Sequence, residues 1–175
     1  MGLKEKWLEG GYAEFAEVGP EHISINHIAK NIGASRSSFY HHFAEVDIFI
    51  DELLAEHWKI SEEFIERGKE NCKNLIPDLY DMLAQYPAPL KFARQLFLYR
   101  HIPKYNYVFL KSFNESTDAF VLDLFARHLD WKQSHRELSG LYLSLGEAWY
   151  SRLDPRDLSA GDTAPSSGGH HSGPV

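Results

Sequence analysis

Five of the six residues from Arg36 to His41, namely Arg36, Ser37, Ser38, Tyr40 and His41, carry hydrogen-bonding groups. On a helix they share one broad outer face, because Phe39 and, four residues later, Phe43 fall on the other side. The forked guanidinium of arginine matches the two acceptors on the major-groove edge of guanine, and hydroxyl and imidazole groups suit base edges or phosphates. Arg36 is thus the first candidate for reading a base. Ser37, Ser38 and His41 are candidates for contacts to bases or phosphates. The chemistry predicted is recognition of double-stranded DNA.

Such a face must be braced from behind, and the preceding residues supply the brace. Ile25, Ile28, Ala29 and Ile32 have the spacing of one buried helical stripe. Gly33 then permits the positive φ that a sharp exit from that helix requires, and Ala34 fills the corner. Ser24 and Ser35 stand where N-caps belong, and Ser24 can also set a helix N-terminus against a phosphate. A small residue at Ala29 lets two helices cross closely. The run from Ile23 to Phe43 therefore reads as a helix-turn-helix, with the second helix presented to the major groove.

Extended on both sides, the same run resembles the TetR family of bacterial transcription regulators. The likeness is carried by Tyr12-Ala13-Glu14-Phe15-Ala16, Gly19, Ile23-Ser24-Ile25, Ile28-Ala29, Gly33-Ala34-Ser35 and Phe39-Tyr40-His41-His42-Phe43. It covers roughly residues 3–55 and continues beyond only as a similar succession of helices. The resemblance implies an all-α chain, with an N-terminal three-helix helix-turn-helix domain followed by a helical ligand-binding and dimerisation domain. It puts Tyr40 and His42 where family members touch the phosphate backbone. It also implies a homodimer, usually a repressor, released from a palindromic operator by a small effector. Two departures stand out. Val46 occupies a position where the family often has a phosphate-gripping lysine, and the segment after residue 158 lacks the apolar pattern of the family's final helix.

Composition bounds these expectations. The 175 residues contain 18 Lys and Arg against 25 Asp and Glu, for a net charge of −7. Sequence-independent DNA affinity comes mostly from neutralising phosphates, so a weak non-specific component is expected. Four histidines near the motif, His22, His27, His41 and His42, can add positive charge on protonation. The single cysteine, Cys72, cannot form an internal disulfide, which fits a cytoplasmic setting. Neither a signal-peptide pattern nor an apolar run long enough to cross a bilayer is present, so no membrane association is expected.

Apolar spacing and Gly/Pro punctuation predict helices over 3–18, 24–31, 35–41, 45–67, 73–85, 88–100, 105–129 and 134–153. The expected organisation is a DNA-binding domain over 1–45, an effector-binding and dimerisation domain over 46–158, and a disordered tail over 159–175. That tail, SAGDTAPSSGGHHSGPV, has no apolar periodicity. The helix over 134–153 is apolar well round its circumference and is expected to face both its own core and a second subunit. An apolar or aromatic effector would need a pocket lined by aromatic residues with a few polar groups. Phe92, Gln95, Tyr99, Phe109, Phe113, Asn114 and Thr117 are the candidates. No phosphate loop, nucleophile elbow or metal-spaced His/Cys/Glu set occurs, so neither enzyme activity nor a cofactor or metal is expected. The rival reading is a helical ligand-binding protein of the same descent with weak or no DNA binding.

Overall fold

The computed structural model describes residues 2–153, and all regular structure among them is helical. Helix α1 (Leu3–Val18) buries Trp7, Gly11, Tyr12, Phe15 and Ala16 along one side. Gly11 has a specific reason to be glycine: a Cβ there would lie 2.1 Å from Cζ of Phe49. Gly19 ends α1 with φ 79° and returns its N–H to the Phe15 carbonyl. A 3-10 turn, Pro20–His22, leads to α2 (Ile25–Ile32), which buries Ile25, Ile28 and Ala29.

Gly33 closes α2 in the left-handed region, at φ 67° and ψ 35°. Its N–H bonds back to Lys30 and that of Ala34 to Ala29, a Schellman closure of the helix end. Helix α3 (Arg36–His42) follows after Ser35, with Phe39 buried. Helix α4 (Val46–Asn71) runs 26 residues, four beyond the expected end, and links the three-helix headpiece to the rest. At 1.5 Å per residue it is about 39 Å long.

The body departs from expectation in one place. Instead of a helix over 73–85, Ile76 is extended at φ −122° and ψ 128°, and regular helix is confined to α5 (Tyr80–Leu83) after a wide turn over Leu75–Leu79. Proline at 77 explains this, since its ring disfavours the α conformation in the residue before it. Helix α6 (Pro87–Leu98) and helix α7 (Pro103–Ser116) both begin on a proline, whose missing N–H costs nothing in a first turn. Helix α7 runs through one wide turn, Thr117–Val121, into α8 (Leu122–His128) without leaving helical backbone angles at Ser116, Val121 or Leu122. Helix α9 (His135–Arg152) opens with a capping box between Ser134 and Glu137. The tail expected over 159–175, and the end of the second domain from 154 to 158, lie outside the described residues.

One apolar core runs from the headpiece into the body. It joins Trp7, Phe15, Ile28, Phe39, Phe43, Phe49 and Leu53 to Phe92, Leu96, Phe97 and Phe109. A second cluster, of Cys72, Leu75, Leu79, Met82, Phe120, Val121 and Leu124, closes the far end of α4 against α8. Among the described residues, no helix is long and apolar enough to cross a membrane.

Candidate nucleic-acid interface

Phe39 is the pivot of the headpiece. Its ring meets Trp7 edge-on at 5.2 Å, Phe49 at 5.1 Å and Phe43 at 5.3 Å, all four side chains being fully buried. With that face of α3 fixed inward, Arg36, Ser37, Tyr40 and His41 are left exposed on the other. Tyr40 keeps 46% of its surface in solvent. Arg36 and Tyr40, one turn apart, touch: Arg36 Nη2 donates to the Tyr40 hydroxyl at 3.3 Å, and the guanidinium lies 5.7 Å from the ring centre. Each holds the other outward.

The remaining candidates divide between caps and contacts. Ser24 Oγ accepts the His27 N–H at 3.3 Å, and Ser35 Oγ accepts that of Ser38 at 3.3 Å, so both serines cap their helices. Ser35 also pairs with the Ser37 hydroxyl at 2.9 Å. Ser38 is half-buried and turned toward α1, where Trp7 Nε1 donates to its Oγ at 3.3 Å. His42 is half-buried, its ring edge-on to both His41 and Phe43.

Charges around the interface are largely balanced from within the headpiece. Lys4 pairs with Glu52 at 2.7 Å and sits 5.4 Å from the Phe43 ring. Glu14, its side chain 9% exposed, accepts from His27 Nδ1 at 2.5 Å and from the Ser24 N–H at 3.4 Å. Its carboxylate thus stands at the N-terminus of α2, where the partial positive charge of a helix is greatest. Val46, in place of a lysine, is half-buried and packs on the headpiece core. These arrangements leave Arg36 and Lys30 as the exposed cations of the motif.

Apolar spacing does not tell what the polar atoms of Trp7 and Tyr12, on the buried side of α1, will meet. The Tyr12 hydroxyl lies 2.7 Å from Nδ1 of His57, which is itself only 3% exposed. Burial holds the His57 imidazole neutral, with its pKa lowered to about 3, and pushes the Tyr12 phenol up. Phe92 stacks on His57 at 4.6 Å, on Tyr12 at 4.4 Å and on Phe15 at 4.0 Å, so α1, α4 and α6 share one aromatic column. The signal available in the sequence was weak: His57 falls on the apolar stripe of α4, four residues after Leu53.

The seven effector-site candidates are not gathered round one cavity. Phe92 belongs to the column just described. Gln95 is buried and donates to the Ala16 and Glu17 carbonyls at 3.4 and 3.3 Å, which pins α6 to the end of α1. Tyr99 lies edge-on to Tyr105 nearby. Phe109 and Phe113 stack on each other at 6.0 Å and face Tyr150 and Tyr142 of α9. Burial keeps the Tyr142 phenol neutral, pushed up to about 12. Thr117 is buried with its hydroxyl on the Phe113 carbonyl at 2.6 Å. Asn114 alone of the seven lines a surface groove of about 700 Å³ on the outer side of α7, beside Arg100, Tyr107, Leu110 and Lys111.

Comparison with known proteins agrees with this geometry. Residues 8–45 match the family model for bacterial regulatory proteins of the tetR family. The whole chain is similar in fold to a crystal structure described as a transcriptional regulator (TerR/AcrR family) from Aquifex aeolicus VF5. The two share 20% identity over 91% of this chain and 94% of that one, with a TM-score of 0.55. It is likewise similar to a structure assigned to the TetR-family transcriptional regulators from Mesorhizobium loti MAFF303099, at 16% identity over 89% of each chain and a TM-score of 0.54. No curated protein sequence matches the chain.

Proposed function

We propose that the chain is a TetR-type transcriptional regulator working as a homodimeric repressor, a reading supported by the match of residues 8–45 to the tetR family model and by the shared fold. The observation that carries this reading is the outer face of α3. Arg36, Ser37, Tyr40 and His41 project together from a helix whose other side is fixed by Phe39 and Phe43. Seven residues of helix are enough to lie in a major groove. Arg36 reads a base edge, Tyr40 and His41 contact phosphate or base, and the caps Ser24 and Ser35 orient the two helix N-termini toward the backbone.

The partner in this reading is a second copy of the chain. Leu141, Leu145 and Trp149 recur every four residues along α9 and keep 38%, 48% and 43% of their surface in solvent. A stripe of that kind is suited to another helix of the same sort. Two headpieces brought together there would meet successive major grooves about 34–36 Å apart on a near-palindromic operator. An effector of apolar or aromatic character would bind the body in the groove of α7 that Asn114 and Tyr107 line, and would release DNA by preferring a different headpiece spacing.

Selection of bound fragments from a random DNA library tests the proposal. The expected result is one two-fold symmetric motif, bound by a dimer and relaxed at one base pair of each half-site in Arg36→Ala. Recovery of no motif at low salt from a confirmed dimer would overturn it. That outcome would favour the rival ligand-binding reading, which the internal neutralisation of Lys4 by Glu52 and the burial of Val46 support.

A further inference from the structure

Ser38 sits in the reading helix, yet its hydroxyl is spoken for on both sides. It accepts from Trp7 Nε1 at 3.3 Å and donates its one proton to the Ser35 carbonyl at 2.7 Å. A base acceptor or a phosphate would need that same proton. Trp7 is fully buried, and its ring also abuts Phe39, the neighbour of Ser38. The indole therefore touches α3 twice, once through an apolar edge and once through a directed polar bond.

We propose that Trp7 and Ser38 form a positioning contact that sets the rotation of α3 about its own axis, and that Ser38 does not read DNA. Apolar contacts such as Trp7 on Phe39 hold a helix against its support but tolerate sliding and turning. A hydrogen bond weakens steeply as its angle departs from linearity. Placed off the axis of α3, the Trp7–Ser38 bond adds a directional restraint against turning to the packing of Phe39 and Phe43. The lever is short but effective: at a helix radius of about 6 Å, a turn of about 20° moves a side-chain atom about 2 Å. A base contact through Arg36 cannot absorb a displacement of that size. The chain thus divides the labour within three residues, with Arg36 and Ser37 facing outward and Ser38 tying the helix to α1.

This rests on the DNA-reading assignment of α3, and the test keeps the two apart. The sequence has four tryptophans, so comparison with Trp7→Phe identifies the Trp7 indole N–H resonance in the full-length protein. In Ser38→Ala that resonance should shift and exchange faster with water, while Ser38→Thr, which keeps a hydroxyl, should restore it. Library selection with the same variants should recover an unchanged motif from Ser38→Ala, bound about three- to tenfold more weakly, with Ser38→Thr near the parent. A Trp7 indole unaffected by Ser38→Ala would overturn the proposal, as would a motif altered at one base. Should the parent protein select no motif, the DNA reading fails while the indole comparison still decides whether the positioning contact exists.

Discussion

The outer face of α3 and the aromatic column beneath α1 are built from similar residues and put them to opposite uses. On α3, Arg36, Tyr40 and His41 hold their hydrogen-bonding groups in water, where Arg36 and Tyr40 bond to each other. In the column, Tyr12 and His57 turn the same kinds of group toward one another at 2.7 Å, against the ring of Phe92, which stacks on both of them and on Phe15. The difference follows from how many elements converge. Helix α3 is covered on one side by α1 and α4, whereas α1, α4 and α6 surround the column. Polar side chains enclosed that way must satisfy each other, because an unpaired buried donor or acceptor costs about 1–3 kcal/mol. A surface for recognition and a rigid joint between headpiece and body are thus two outcomes of one residue vocabulary.

That contrast makes the two regions separable by experiment. Phe92→Ala should cost the most, about 3–5 kcal/mol in chemical denaturation, since it empties the centre of the column. A loss below about 1 kcal/mol would mean the stack does not hold the joint. The next effect concerns acid. A His57 pKa near 3 in the folded chain, against 6.5 when exposed, means the unfolded chain binds a proton the native one refuses. Stability from this group is therefore whole above about pH 6.5 and falls as pH drops toward 3, by a few kcal/mol at most. His57→Gln, which keeps an acceptor for Tyr12, should flatten that acid limb in thermal melts taken across pH. An unchanged limb would refute the assignment.

Arg36→Ala should do the reverse. It should leave denaturation unchanged within about 0.5 kcal/mol and weaken operator binding by about 1–3 kcal/mol, with preference relaxed at one base pair. If it destabilised the fold as much as it weakened binding, the two regions would not be independent. Smallest of all should be Lys4→Ala. Its pair with Glu52 is partly exposed on both sides, and such pairs contribute about 0–1 kcal/mol. Binding measured against salt concentration should show the same economy of charge, with a slope set by few phosphate contacts.

Much of this architecture was legible locally. The bounds of α1, α2, α3, α6 and α9 fall within two residues of those expected from apolar spacing, caps and breakers. Where the expectation slipped, at 73–85, the overlooked influence was Pro77 acting on Ile76, a local effect that apolar spacing does not register. The effector-site residues were the least legible. Aromatic content marks side chains that will be buried, but whether rings line a space or fill it depends on which helices meet. Phe92 and Gln95 turned out to face α1.

Short-range rules sufficed for the helix-turn-helix itself: Gly33 at positive φ, Ser24 and Ser35 as caps, Phe39 and Phe43 inward and Arg36 and Tyr40 outward are all consequences of neighbours within a few positions. The tertiary structure alone decided the polar partnerships. Ser38 meets Trp7 across 31 residues, Tyr12 meets His57 across 45 and Gln95 meets Ala16 across 79. Periodicity tells which side of a helix is buried. The identity of the atom waiting there is fixed only when the helices have docked, because a hydrogen bond needs its partner within a few tenths of an ångström and along a set direction.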